Sequence, residues 1–311
     1  MGLRITEKLL RHRAKFWDSD RVFWKDNALM QKCHVSQTTL RRRRFIEKYL
    51  KIGDLSILEI GPLTTPTYTP QDASVKYMDW FSREELTRIY REDSKLNVAD
   101  IIDVDYVIKE RRFSEFIRDT FDLVIANHIM EHIPDVIAWI QELQKILSED
   151  GSIFLSVPEK KYTFDFLRHE TTAVEILRCF HEKLDKPSYY QILAGIYHHR
   201  PITPTDNYWT KIKKVKSRPI SFSDAMEEAD RAQGFHTGGF HCHVFSRKSF
   251  PNVWSDLLES GLIEMEITEI SRIMRDVGEF HVLLRPRTKK DHKLQKITKR
   301  GRLKKERGKS V

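Results

Sequence analysis

Ser56-Ile57-Leu58-Glu59-Ile60-Gly61-Pro62-Leu63-Thr64-Thr65-Pro66 decides the architecture. A short apolar run ends in a carboxylate, then a glycine, then a segment whose two prolines suit neither a helix interior nor a paired strand. A buried parallel strand that hands its chain to a ligand pocket has this form. Twenty residues beyond Glu59, a second short run, Val75-Lys76-Tyr77-Met78, ends in Asp79. Nucleotide-binding folds place at that distance the acid that accepts hydrogen bonds from ribose hydroxyls. The glycine count narrows the ligand. A pyrophosphate needs close backbone approach through G-x-G-x-x-G, and here only Gly61 is present, so a phosphate cradle is not expected. A carboxylate at the first strand tip suits a cationic ligand; an ordinary strand and turn is the plain alternative.

Working outward, strands alternate with helices. Trp80 follows Asp79 directly, so its ring either covers one face of a bound base or belongs to the core. A charged helix over residues 82 to 92 leads to Val98 through Asp105, read as a third strand whose terminal acid, Asp105, would accept from an amino group. Phe121-Asp122-Leu123-Val124-Ile125-Ala126 is the clearest strand, and it empties into Asn127-His128-Ile129-Met130-Glu131-His132-Ile133-Pro134-Asp135. Ligands sit at the carboxyl ends of parallel strands, so this cluster is expected in the cleft. A helix with Val136, Ile137, Trp139, Ile140, Leu143 and Ile146 on its buried side follows, then a fifth strand, Ser152 to Val157. The most economical architecture is a doubly wound, mostly parallel seven-stranded α/β sheet. Residues 1 to 50 are expected as a helical cover in which Arg41 to Arg44 form a solvated face. Residues 159 to about 240, rich in Tyr, His and Arg, break the rhythm and are expected as an acceptor-binding insertion or a dimerisation element. A helix capped by Ser246 and ended by Gly261, then strands 262 to 270 and 279 to 284, close the domain that begins at residue 51 and ends at 287.

The charge of +9 is located rather than spread. Residues 288 to 311 hold eleven Lys/Arg and two acids, which equals the whole excess, so the remainder is neutral. Nucleic-acid binders usually carry positive charge around the cleft, which makes nucleic acid the lesser expectation. The tail is expected to be disordered or peripheral, with contact to an anionic membrane as one possible use. Three scattered cysteines form no disulfide framework and fit a reducing compartment, and no run reaches the roughly 18 apolar residues of a membrane span. The expected location is the cytoplasm.

These residues carry a family likeness. The Ile57 to Pro62 stretch, Asp79, the Phe121 to Asp135 segment and Gly151-Ser152-Ile153-Phe154-Leu155-Ser156-Val157-Pro158 together resemble class I S-adenosylmethionine-dependent methyltransferases. Within them, the Glu-Ile-Gly-Pro-Leu loop, Tyr162-Thr163-Phe164-Asp165 through Arg168, and Phe240-His241-Cys242-His243-Val244-Phe245-Ser246 resemble a bacterial branch associated with polysaccharide and other glycan synthesis. The resemblance implies S-adenosylmethionine as cofactor, bound by Glu59, Gly61, Pro62, Asp79 and Trp80, with Asp105, Asn127 and His128 lining its adenine and methionine ends. Leu63 and Thr65 stand where the superfamily has its second and third glycines.

Methyl transfer from a sulfonium mainly needs alignment and exclusion of water, and a hydroxyl acceptor additionally needs a base. His128, His132 and His241 are the candidates, with Glu131 to orient an imidazole. Asp165 and Arg168 would hold sugar hydroxyls or a phosphate at the rim of the cleft, or form a local ion pair. A metal at His236, His241, Cys242 and His243 is not expected, because on an extended segment Cys242 points away from its histidine neighbours. The expected activity is O-methylation of a sugar or glycan-linked acceptor. An RNA methyltransferase and a non-catalytic module recruiting through its tail are the alternatives.

Overall fold

Seven strands form one sheet in the order β3-β2-β1-β4-β5-β7-β6 in the structure, a computed structural model that describes residues 36–93, 96–200, 220–233, 240–273 and 278–287. The strands are β1 (Ser56–Ile60), β2 (Ser74–Asp79), β3 (Tyr106–Val107), β4 (Phe121–Asn127), β5 (Leu147–Pro158), β6 (Met265–Ile270) and β7 (Glu279–Pro286). The first five run parallel, and β7 lies antiparallel between β5 and β6. The helices are α1 (Gln37–Glu47), α2 (Arg83–Tyr90), α3 (Val136–Lys145), α4 (Ala173–His181), α5 (Tyr189–His198), α6 (Phe222–Ala232) and α7 (Phe250–Ser260).

Both faces of the sheet are covered, which is why its central strands are apolar throughout. Along β4, Leu123 and Ile125 face α1, packing with Ile46 and Phe154, while Val124 and Ala126 face α3 and α7. Full burial of each such aliphatic side chain contributes about 1.5–3 kcal/mol. Capping matches the sequence. Ser82 and Thr172 close reciprocal capping boxes with Glu85 and Glu175, and Gly261 ends α7 at φ 76°. Between β5 and α7, α4 lies against α3 and α7, whereas α5 and α6 pack on each other around Ile192, Ile196, Ala225 and Ala229.

Four expectations are corrected. Residues 98 to 105 are not a strand: Asn97 caps a short 3-10 turn over Val98–Asp100, and Ile101 is buried against α2 with Val98 and Val104 beside it. The third strand begins after Asp105. The cap of the last helix is Ser249, because Ser246 and Ser249 exchange backbone-to-hydroxyl hydrogen bonds in a turn before Phe250. Arg41 to Arg44 are not simply a solvated face. Arg42 is buried with two hydrogen bonds to Glu279, and Arg43 makes two to Asp72 and one to the Thr67 carbonyl. Finally, Asp165 and Arg168 are not at a rim, since both are buried. The tail from residue 288, His236 and most of the N-terminal cover lie outside the described residues, and no described helix is long and apolar enough to cross a membrane.

Candidate active site

The parallel strands deliver their carboxyl ends to one edge of the sheet, and the antiparallel β7 brings its first residue there too. Pro158 at the end of β5 pairs with Glu279, and the His128 backbone N–H donates to the Ser156 carbonyl. This edge carries the site.

On the β1 side, Glu59 does not face an open hollow. It is fully buried, and its carboxylate accepts from the Thr67 N–H at 2.7 Å, the Thr67 hydroxyl at 2.8 Å and the Asn127 amide at 2.9 Å. Burial pushes its carboxyl up to about 7, against the hydrogen bonds from Thr67 and the attraction of Arg42. Its observed role is to tie the loop after β1 to the end of β4. Pro62 is buried in that loop. Gly61 sits at φ 63°, in the left-handed region that favours glycine, and a β-carbon there would lie 2.8 Å from Ile129 Cδ1, a side-chain end that would have to shift. Asp79, half-buried at the tip of β2, accepts the Phe81 N–H through Oδ1, and Trp80 beside it is also half-buried. Asp105, immediately before β3, is exposed and accepts from the Tyr77 N–H; the two residues of β3 pair with Met78 and Asp79.

The donor set fits the cationic end of S-adenosylmethionine. With its amide nitrogen donating to Glu59 and Thr67, Asn127 has a buried Oδ1 with no hydrogen-bond partner among the described residues. A buried acceptor left unpaired costs about 1–3 kcal/mol. An ammonium group would satisfy it.

His128 adopts φ 53°, an uncommon conformation for a non-glycine residue that Leu63 and Lys183 share. Its Nε2 lies 2.6 Å from Glu279 Oε2. Glu279 also binds Arg42 Nε at 3.0 Å and Nη2 at 2.6 Å, and His281 Nε2 at 2.8 Å. Burial opposes charge at Glu279, but the Arg42 guanidinium and hydrogen bonds from His128 and His281 hold its carboxyl well below the usual range. An ionised carboxylate thus orients the His128 ring. Sequence reasoning gave that task to Glu131, whose Oε1 is 3.6 Å from His128 Nδ1 and outside hydrogen-bond distance. Glu279, Arg42, Thr67 and His281 were missed; the signal for Glu279 was an acid opening a strand that had to run back along β5.

A second group lies beside the first. The 240–245 segment is laced to the turn after β4: the N–H groups of Cys242 and His243 donate to the Glu131 carbonyl, His132 Nδ1 bonds the Phe240 carbonyl at 3.1 Å, and His243 Nε2 bonds the Pro134 carbonyl at 3.0 Å. His241 is thereby set against His132, ring centroids 4.7 Å apart, with its Nδ1 on Asp165. Asp165 in turn binds Arg168, which also donates to the His241 carbonyl, so this buried network is the local ion pair rather than a substrate clamp. Burial opposes ionisation of Asp165, yet Arg168 and His241 hold it well below the ordinary carboxylate range. Glu131 is buried, and burial raises its carboxyl against the pull of His128 and His241. Burial also lowers His243 to about 4, which removes it as a base near neutrality.

A family model described as a methyltransferase domain matches residues 54–278, well over half of the chain. No curated protein sequence matches it. Similar solved structures include a magnesium protoporphyrin IX methyltransferase from Synechocystis PCC 6803 with bound SAH, 11% identical, covering 92% of this chain and 99% of that one at TM-score 0.41. A protein described as a Zn-dependent alcohol dehydrogenase from Rhodobacter sphaeroides is 12% identical, with coverage of 89% and 98% and TM-score 0.44. The 1,6-didemethyltoxoflavin-N1-methyltransferase of Burkholderia thailandensis, with bound 1,6-didemethyltoxoflavin and S-adenosylhomocysteine, is 13% identical, with coverage of 89% and 88% and TM-score 0.41. Likenesses this loose carry no argument about the acceptor.

Proposed function

The chain belongs to the methyltransferase-domain family, and we propose that it uses S-adenosylmethionine to methylate a hydroxyl oxygen of a sugar or glycan-linked acceptor, with His128 as the base. One observation carries the choice of oxygen. The His128 imidazole, just beyond the tip of β4, is held on a buried, ionised carboxylate, Glu279. A hydroxyl must lose its proton as it attacks, whereas an uncharged amine can attack through its own lone pair; an oriented histidine is the device the former requires.

The cofactor supplies a methyl group on a sulfonium, which leaves as a neutral thioether when the methyl is displaced. The residues of this chain do the rest. Asn127 Oδ1 would accept from the ammonium of the bound cofactor, and Asp79 would accept from its ribose hydroxyls. Gly61 supplies the left-handed turn that carries the chain out of β1. His128 takes the acceptor's proton on Nδ1 as the new O–C bond forms, and Glu279 stabilises the resulting imidazolium through Nε2. The positive charge on the ring is then matched by a carboxylate already charged and in place, so little reorganisation is needed. The glycan assignment is supported by the resemblance of the Tyr162 to Arg168 and Phe240 to Ser246 segments to the polysaccharide-associated branch.

Incubation of the purified protein with methyl-labelled cofactor and separated glycan, lipid-linked glycan and RNA fractions tests the acceptor. Label should enter a glycan-containing fraction as an alkali-stable ether. Label confined to RNA, or bound only through nitrogen, contradicts the proposal.

A further inference from the structure

The structure brings Glu131, His132 and His241 together so that one ligand atom from each lies within 4.8 Å of the others. These residues are adjacent in the turn after β4 or arrive 109 positions later on the 240–245 segment, so sequence spacing alone gives no metal motif. We infer that they form a binding site for one divalent first-row transition ion, which Zn²⁺ can occupy.

Three observations point to a cation. First, Glu131 is 1% exposed, and neither of its carboxylate oxygens has a hydrogen-bond partner among the described residues. A buried carboxylate is normally hydrogen-bonded, paired or bound to a metal, because leaving it unmatched costs several kcal/mol. His128 approaches only to 3.6 Å and already bonds Glu279. Second, both imidazoles are held in the tautomer that ligates through Nε2. The Phe240 carbonyl can only accept, so His132 Nδ1 carries the proton; the Asp165 carboxylate sets His241 the same way. A carboxylate or carbonyl behind a histidine is the usual outer support of a metal-bound ring. Third, Glu131 and His241, though not His132, line a cavity with room for about one water-sized occupant.

The nearby cations are spent elsewhere. Arg168 serves Asp165 and the His241 carbonyl, and Lys160, also in the cavity wall, donates to the Phe166 carbonyl at 2.9 Å. Two imidazoles and one carboxylate suit Zn²⁺, Fe²⁺, Mn²⁺ or Co²⁺ better than Mg²⁺ or Ca²⁺, which prefer oxygen donors. An ion here would lie next to His128, where its remaining coordination positions could receive an acceptor oxygen and ease its deprotonation. Metal binding itself depends on neither the acceptor nor the base assigned above.

The test uses the full chain, stripped with chelator and titrated with Zn²⁺ in the absence of cofactor and acceptor. Calorimetry should give about one saturable site, and Co²⁺ in its place should develop visible d–d absorption. Glu131→Gln and His132→Asn should each weaken Zn²⁺ binding at least about tenfold, with circular dichroism unchanged. His132 is only half-buried, so its variant carries the test if Glu131→Gln does not fold. A wild-type chain without saturable Zn²⁺ binding, or folded variants that bind Zn²⁺ as tightly as wild type, overturns the inference. Cofactor affinity, measured separately on the stripped protein, shows whether the methyltransferase reading stands when the metal site does not.

Discussion

Asparagine in place of His128 is expected to lower turnover by about 10²–10⁴-fold, the usual contribution of a positioned acid or base, while cofactor affinity stays at the wild-type level. Asparagine is the informative substitution because it tolerates the left-handed backbone that His128 occupies, at φ 53°. The loss then reports the missing base rather than a distorted strand end. Glu279 remains matched by Arg42 and His281, which limits the effect on folding. Glu279→Gln should act in the same direction through turnover, since the amide cannot balance an imidazolium. Steady-state turnover with a saturating acceptor decides it; a His128→Asn enzyme as fast as wild type would remove this residue from proton transfer.

The second large effect is on stability. Arg42→Leu should cost about 3–5 kcal/mol, because it strands the buried Glu279 carboxylate without its guanidinium. Urea unfolding followed by circular dichroism measures this directly. Adding Glu279→Gln to Arg42→Leu should recover part of the loss, as the stranded charge is gone. The pH dependence has a defined sign. In the wild-type protein the folded-state pKa of Glu279 lies well below its ordinary value of 4.5. Its contribution to stability is therefore fully present above about pH 4.5 and drains away as pH falls through the folded value. In Arg42→Leu that acid limb should flatten. A cost under 1 kcal/mol would mean that the guanidinium is replaceable by solvent.

The sheet was legible in the sequence because its strands are short apolar runs that stop at acids, asparagine or proline, and because the helices between them carry a clear apolar stripe and ordinary caps. The third strand was not. Val98, Ile101 and Val104 look like strand residues by composition, yet they serve a small core under α2. Local pattern cannot say which surface an apolar residue will meet. The site divides in the same way. The turn from Asn127 to His132 could be placed from its position after β4, but the carboxylates that position its histidines lie far along the chain: Glu279, 151 residues beyond His128, and Asp165, 76 residues before His241. Arg42 was hidden for a related reason, since four consecutive arginines read as a charged surface until one of them is seen to face a buried acid. Glu59 stands out in the sequence as a strand-end acid, and the structure shows its carboxylate turned into the loop. It is satisfied there, accepting from Thr67 and from the Asn127 amide.

What binds the methyl donor is the claim from which the base, the acceptor and the chemistry all follow, and calorimetric titration of S-adenosylmethionine into wild-type protein and Asp79→Ala tests it most directly. One site per chain is predicted, weakened in the variant by about 1–3 kcal/mol through loss of a charged hydrogen-bond acceptor, with the fold intact. Equal affinity in the two proteins, or no binding by wild type, would contradict it.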